Sequence, residues 1–447
     1  MVTTPLRRNT RFQLLWVGSA VSGLGSSMTY LAFPLLILAV TGSPGLAGIV
    51  GACRMAASIA VSMPAGVWVD RFDRRRVLVA CEAVRIAATG SLVTVMLVGG
   101  ADALSLAHIL VVAVLSGTAD AFFQPAYATA IRAVVPREQL PQAYAQEEAR
   151  SHAASLAGPP LGGALFGLAR VLPFLADLVS YVVSLVCILA ARVPRRPAQE
   201  VRQEVRQTAG QTAGGRLAEE GRRVRRDVGE AVRWIWRRPG IRAALIFSMV
   251  INLVAGAELI PLITMMESRG ATSVDSGLVL GAAGVGGLLG AFVAPRLSRT
   301  LSPGLLMAAV GGVFGAAMCA STLPFGVYWP AVTLFLGMVT VPALNVVLKV
   351  LVARTVPEVM MGRVVAALSM VSLGLEPLSP LIGGALAEVA GGASALLVLG
   401  GVLVVASVGF VVLSPALRGL RVEAEAGDEA VSAEGATEPG EAARQGG

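Results

Sequence analysis

Between Phe12 and Val40 the chain carries no charged residue, and eleven more apolar runs follow, at most sparsely charged. A bilayer crossing takes ~20 mostly apolar residues in a helix, because every backbone polar group must be satisfied inside the segment. The runs fall at 12–40, 45–68, 77–98, 104–130, 143–167, 171–192, 241–265, 273–297, 303–323, 327–353, 362–388 and 393–414. They are continuous, unlike the ten-residue alternating stretches of a membrane barrel. With 55% hydrophobic and 14% charged residues, the chain holds more apolar surface than a water-soluble core can hide. An all-α membrane protein with twelve transmembrane helices is expected.

Arginine then orients the spans. Lys349 is the one lysine among 36 basic residues, a bias that suggests a GC-rich bacterial genome and hence an inner membrane. With the N-terminus inside, one set of loops holds Arg71, Arg74, Arg75, Arg76, Arg132, Arg137, Arg296, Arg299, Arg354, Arg363, Arg418 and Arg421. The opposite loops hold only Arg170 and Arg269. Basic residues stay on the cytoplasmic side, so both termini are expected there. The same pattern explains a pI near 10.0 without nucleic acid as a partner. Arg7, Arg8 and Arg11 precede a run far longer than a signal-peptide core, without a small-x-small cleavage site, so 12–40 reads as the first span.

Little in the chain suggests catalysis. Cys53, Cys81, Cys187 and Cys319 lie in apolar runs and are not spaced for zinc, so they read as fillers. His108 and His152 are too far apart for a metal or nucleophile constellation. No Gly-x-x-x-x-Gly-Lys-[Ser/Thr] loop exists to bind ATP. No metal, cofactor or enzymatic activity is expected.

The expected organisation is an N-terminal bundle over 1–192, a cytoplasmic linker over 193–240, a C-terminal bundle over 241–415 and a disordered acidic tail over 416–447. In the linker, Leu217, Val224, Val228, Val232 and Ile235 recur at helical spacing among arginines, with Trp234 and Trp236 beside them. This reads as a basic amphipathic helix on anionic headgroups, the alternative being a solvated charged helix. The halves echo each other: Val135-Pro136 precedes Leu161-Gly162-Gly163-Ala164-Leu165 as Val356-Pro357 precedes Ile382-Gly383-Gly384-Ala385-Leu386. From proline to first glycine is 26 residues both times (136 to 162, 357 to 383), as a duplicated unit would give.

Two local motifs are specific. Between spans two and three stands Gly66-Val67-Trp68-Val69-Asp70-Arg71-Phe72-Asp73-Arg74-Arg75-Arg76. Gly66 permits close helix approach, and Asp70 can pair with a basic residue or face a helix N-terminus in the other half. The arginines can bind headgroups or simply set topology. This stretch resembles the loop signature of the major facilitator superfamily. The second-half loop, Gly290 to Arg299, keeps Arg296 and Arg299 but has Ala294-Pro295 in place of Asp-Arg. In span five, Gly158-Pro159-Pro160-Leu161-Gly162-Gly163 resembles the exporter signature of that superfamily. Ser22-Gly23-Leu24-Gly25, Phe123-Gln124-Pro125-Ala126, Pro173-Phe174-Leu175-Ala176-Asp177 and Gly362-Arg363-Val364 look like its enterobactin-exporter and macrolide-efflux branch. The family's span-four arginine is replaced by Ala113, and the acid often found after the span-one Gly-Leu-Gly by Ser26 and Ser27.

The resemblance implies two pseudo-symmetric six-helix bundles with spans one, four, seven and ten around a cavity. It also implies that Gly66, Asp70, Arg71, Arg74 and Arg75 latch the cytoplasmic side, and that Gly158, Pro159, Gly162 and Gly163 form a rocking surface. The intramembrane ionisable residues are Arg54, Arg85, Asp120, Asp177, Glu258, Lys349 and Glu376. Each costs ~3 kcal/mol to insert and needs a pathway, partner or interface. Asp177 and Lys349 read as structural and snorkelling. Asp120, Glu258 and Glu376 are the candidates for proton coupling, Glu258 first, with Arg54, Gln124, Asn252 and Asn345 as cavity partners. The expected function is proton-antiport export of an amphipathic small molecule such as an antibiotic or siderophore, by a monomer. The alternatives are a proton-coupled nutrient importer and a polytopic membrane transferase.

The arginine asymmetry makes a testable prediction. Reporter fusions after Gly100, Arg269 and Ala390 will report the periplasm, and those after Arg76, Gln207 and Arg421 the cytoplasm. One inverted loop breaks the twelve-span count.

Overall fold

The computed structural model describes residues 5–194, 229–230, 233–356, 364 and 374–413, and omits the side chains of 63–64, 66–67, 70–71, 299, 350–355 and 413. The first group of helices is α1 (Thr10–Thr41), α2 (Pro44–Arg71), α3 (Arg74–Gly99), α4 (Leu106–Val134), α5 (Leu140–Leu168) and α6 (Leu172–Ala191). The second is α7 (Pro239–Ala257), α8 (Leu259–Ser268), α9 (Ser273–Thr300), α10 (Pro303–Ser321), α11 (Trp329–Thr355), α12 (Leu378–Ala390) and α13 (Gly392–Leu413). Most of the expected linker helix, all of the tail from 416, and Gly362-Arg363 lie outside the described residues.

Local chemistry sets the ends. Asn9, Ser43, Asp73 and Ser105 cap α1 to α4 with side-chain oxygens that accept backbone N–H bonds. Thr272 and Asp275 form a reciprocal capping box on α9. Gly42 ends α1 at φ 68°, a left-handed conformation that costs glycine nothing. The outward surface is apolar, with Val389 88% and Val98 86% exposed; such a belt suits lipid, not water.

Ten helical stretches among the described residues are long and apolar enough to cross a membrane, against twelve expected. α7 and α8 count as one, broken at Glu258. Pro261 has no N–H for the Ala257 carbonyl and its ring presses on it, so the helix opens there. α12 is short: the expected 362–388 span is described as continuous helix only from 378, with isolated helical residues at 364 and 374–375. α5 is long but polar at its start, with Glu147, Glu148 and Arg150. Those charges are accommodated locally. Arg150 pairs with Glu147 and donates to the Ser19 carbonyl at 2.8 Å, and Tyr127 donates to Glu147 at 3.1 Å.

Within the first group α1 packs on α5 and α6, and α2 and α3 on α4; within the second α11 packs on α9 and α10, and α13 on α10. The groups meet where α5 crosses α9 and α12 crosses α2. The repeated Gly-Gly pairs make these crossings. A Cβ on Gly163 would sit 2.3 Å from the Ser273 oxygen and 3.1 Å from Gly277 Cα, and one on Gly384 2.6 Å from the Pro44 oxygen and 2.8 Å from Gly48 Cα. The first glycine of each pair faces its own group: a Cβ on Gly162 would lie 2.4 Å from the Met28 oxygen, and one on Gly383 2.1 Å from the Ala257 oxygen. Both crossings lie at the arginine-poor end, near the starts of α2 and α9.

Two glycine substitutions should therefore fail differently. A Cβ on Gly158 would fall 2.3 Å from Ser27 Cβ, inside the first group. Gly158→Leu will lower the melting temperature in detergent by several degrees, since overpacking alone costs about 1–3 kcal/mol. Gly163→Leu will lower it less but part α5 from α9, read as faster thiol labelling of a cysteine replacing the buried Ser276. Equal behaviour of the two variants would refute this division.

Candidate functional site

Between the two groups, beneath the α2–α12 crossing, lies a cavity of about 580 Å³, a volume suited to a drug-sized molecule. Its polar groups are few: Tyr30 on α1, Arg54 on α2, Asn252 on α7, and Glu376 and Ser379 at the start of α12. Phe33, Met55, Met249 and Leu253 make much of the rest. The wall thus offers broad apolar contact with a few fixed polar groups. The implied arrangement of spans one, four, seven and ten is corrected here. α1, α2, α7, α8 and the 375–380 stretch form the walls, α4 adds only Ala113, and no described residue of α11 lines the cavity.

Arg54 is the visible end of a chain of charges. Its Nη2 lies 3.1 Å from Asp120 Oδ2, and Arg85 Nη2 lies 2.5 Å from the other oxygen, Asp120 Oδ1. Arg85 Nη1 stands 3.7 Å from Glu82, whose second oxygen accepts a 2.6 Å bond from Ser184 Oγ. Two cations and two anions thus run from α3 through α4 to Arg54 of α2 at the cavity wall, with Ser184 of α6 bonded to the far end. Isolated, each would be costly in the membrane; together they neutralise one another. Phe123 and Tyr181 flank the Arg85 guanidinium at 4.4 and 5.5 Å, adding cation–π attraction. Glu82 is absent from the expected ionisable set. It is 0% exposed, and its signal was the i, i+3 pairing with Arg85 inside an apolar run.

Serines serve helix packing where the family's span-one acid often stands. Ser26 Oγ lies 3.0 Å from Tyr181 Oη, and Ser27 faces Gly158. Asp177 is buried and accepts from Thr29 at 3.1 Å and Ser180 at 3.3 Å, so it ties α6 to α1. Gly25 leaves the room for that contact.

Glu258 differs from Asp120. It is buried at the α7–α8 break, its Oε1 accepts no hydrogen bond, and no cationic side chain acts on it among the described residues. Glu376 is exposed in the turn before α12 and lines the cavity. Both reach Tyr30 electrostatically. Gln124, Asn345 and Lys349 are exposed and stand apart from the lining. In the loop motif, the side chains of Gly66, Asp70 and Arg71 lie outside the described residues. Arg74 donates to the Thr129 carbonyl at 3.2 Å and Arg75 to that of Leu189 at 3.0 Å, pinning the loop to α4 and α6.

A helical membrane chain whose two groups enclose an amphipathic cavity has the architecture of a solute transporter. The chain belongs to the Major Facilitator Superfamily, whose family model matches residues 15–375. It is 27% identical over 392 residues to the multidrug efflux pump Tap of Mycolicibacterium fortuitum, covering 85% of this chain and 89% of that protein. A second Tap, from Mycobacterium tuberculosis, is 32% identical over 156 residues, about a third of either chain (34% and 36%). A bacterial homologue of the iron transporter ferroportin, in its inward-facing state, superimposes with a TM-score of 0.68 at 16% identity, covering 92% of this chain and 100% of that one. The nucleoside transporter NupG does so with 0.66 at 14%, again over 92% and 100%. The protein is thus a polytopic membrane protein and a secondary transporter of small molecules. Family membership removes the transferase alternative.

The charge chain predicts an asymmetry in stability. Arg85→Leu leaves Glu82 buried without a cation and will destabilise the protein by up to about 3–5 kcal/mol, the range for one broken member of a buried pair. Arg85→Leu combined with Glu82→Leu will recover most of that loss in detergent melting. A double variant no better than the single one refutes the pairing.

Proposed function

We propose that the chain exports an amphipathic small molecule from a bacterial cell by proton antiport, alternating access between the two sides of the inner membrane. The observation that carries this reading is the apolar cavity with sparse polar anchors, capped at the arginine-poor end by backbone contacts between the helix groups. The likeness to a multidrug efflux pump along most of the chain supports export, as does the Gly158–Gly163 motif, while the short motifs at 22–25, 123–126, 173–177 and 362–364 support the enterobactin-exporter and macrolide-efflux branch. In this reading α7 with α8, and the 364–390 stretch with α12, each count as one span. That makes two six-helix bundles, 1–192 and 241–415, and twelve crossings with both termini and 193–240 in the cytoplasm. The basic linker lies on anionic headgroups, Asp70 with its neighbouring arginines latches the cytoplasmic side, and the working unit is a monomer.

For the proton we propose Glu258, with Glu376 and Asp120 behind it. A coupling carboxyl must take and release a proton in every cycle, so a permanent cation partner hinders it. Asp120 has two such partners, Arg54 and Arg85; Glu258 and Glu376 have none among the described residues. A proton-coupled importer of the same fold is the second reading, because the fold by itself serves either direction.

Energised inside-out and right-side-out vesicles separate these readings, using a panel of fluorescent amphipathic substrates with and without a protonophore. Uphill, protonophore-sensitive uptake into inside-out vesicles supports export; uptake into right-side-out vesicles supports import. Glu258→Gln will abolish uphill transport while keeping downhill exchange. If Glu258→Gln, Glu376→Gln and Asp120→Asn each still drive uphill transport, the assignment fails.

A further inference from the structure

We propose that Glu388 is a positioning residue of the transport cycle, clasping the two helix groups together at the arginine-poor end by docking on the N-terminus of α2. This rests on the alternating-access reading above. Glu388 stands at the end of α12, in the second group. Its Oε2 accepts 2.8 Å from Ser43 Oγ and 2.9 Å from the backbone N–H of Gly45, both in the first group.

The start of α2 is made for such a visitor. A helix leaves its first N–H groups unpaired and carries partial positive charge there. Pro44, the first helical residue, has no N–H to offer. The Leu46 N–H is taken by Ser43 Oγ at 3.2 Å, within its own chain segment. Gly45 is left, and its partner comes from the other group. The same Ser43 hydroxyl that accepts from Leu46 donates to Glu388, so the cap and the clasp share one atom.

The contact is built for reversal. It is exposed, so water can replace the carboxylate when the groups part, and neither side is left with a buried orphan. One turn inward, the Gly48–Gly384 crossing supplies the tight steric fit. Among the described residues the clasp has no twin at the α5–α9 crossing. Glu388 lies four residues beyond Gly384, as Gly167 lies four beyond Gly163. Gly167 offers no side chain, and a Cβ there would meet Val274 at 3.0 Å. The start of α9 is capped by its own Asp275, which accepts from the Thr272 N–H at 2.8 Å. So the α5–α9 crossing closes without a partner in trans, and the α2–α12 crossing has one.

The test is thiol accessibility in intact cells with a membrane-impermeant maleimide, in the full chain with its four native cysteines replaced. Ala47 lines the cavity and is 2% exposed, so Ala47→Cys reports opening at this end. Phe325, 66% exposed between α10 and α11, provides Phe325→Cys as a control for sidedness. Glu388→Ala should speed labelling at position 47 by about two- to fivefold, the factor by which an exposed helix-terminus contact shifts a two-state equilibrium. Glu388→Gln, whose amide oxygen can still accept from Gly45, should fall between. Unchanged labelling at position 47 in Glu388→Ala, with the control labelled normally, overturns the clasp. If the alanine variant is not recovered in the membrane, the isosteric glutamine variant decides alone: faster labelling supports the clasp and an unchanged rate overturns it. A control that does not label from outside instead overturns the topology of the transport reading.

Discussion

Two helix backbones in van der Waals contact hold the groups together, and the rest of the molecule is arranged around that contact. Lipid tails are as apolar as leucine, so no hydrophobic force drives helices together inside a bilayer; close packing must do it. Gly163 on Gly277 and Gly384 on Gly48 bring chains near enough that any Cβ would overlap a carbonyl oxygen or a Cα. At these points backbone meets backbone, and the side chains beside them are small or rigid ones such as Pro160 and Pro380. Such surfaces can separate and meet again without rotamer exchange, a property that a crossing between moving bodies needs.

The charges answer a different constraint. Arg54 presents a guanidinium to the cavity, and a lone cation there would pull water and anions to itself at every stage. Asp120 holds it, yet Asp120 is shared with Arg85, whose other side faces Glu82. The charge at the wall is thereby diluted over three helices of one group. Arg54 keeps its hydrogen-bonding capacity for a cargo while its net field is largely cancelled nearby. Across the cavity the second group offers Glu376 and Asn252. The two walls are therefore unlike.

Much of this was legible before the structure. Apart from the run at 362–388, the apolar runs marked the described helices to within a few residues, because in lipid the backbone has almost no choice but to form them. Pro261 stands in the sequence of span seven and accounts for its break. The repeated Gly-Gly was visible too, but not that its two members face different neighbours. Adjacent residues on a helix point about 100° apart, and only the tertiary arrangement says what stands in each direction. Asp120 was read as a candidate proton carrier because partners on α2 and α3 cannot be paired with it from spacing alone. Glu82 was passed over because one acid among apolar residues barely lowers the run's hydropathy. Asn345 was placed in the cavity on the family's geometry, and the wall runs elsewhere.

The break at Glu258 joins these strands. Pro261 leaves the Ala257 carbonyl without its helical donor, and that oxygen is the atom against which Gly383 packs. Gly383 and Gly384 are consecutive, so α12 touches the broken joint of α7 with one residue and the α2 backbone across the groups with the next. Four residues on, Glu388 reaches the N-terminus of α2. The α12 helix is thus anchored at the carbonyl beside the buried, unpartnered carboxyl of Glu258 and at the seal of the arginine-poor end. A rigid helix that tilts about one of these points moves at the other, so α12 ties the α7–α8 joint to the crossing at the arginine-poor end.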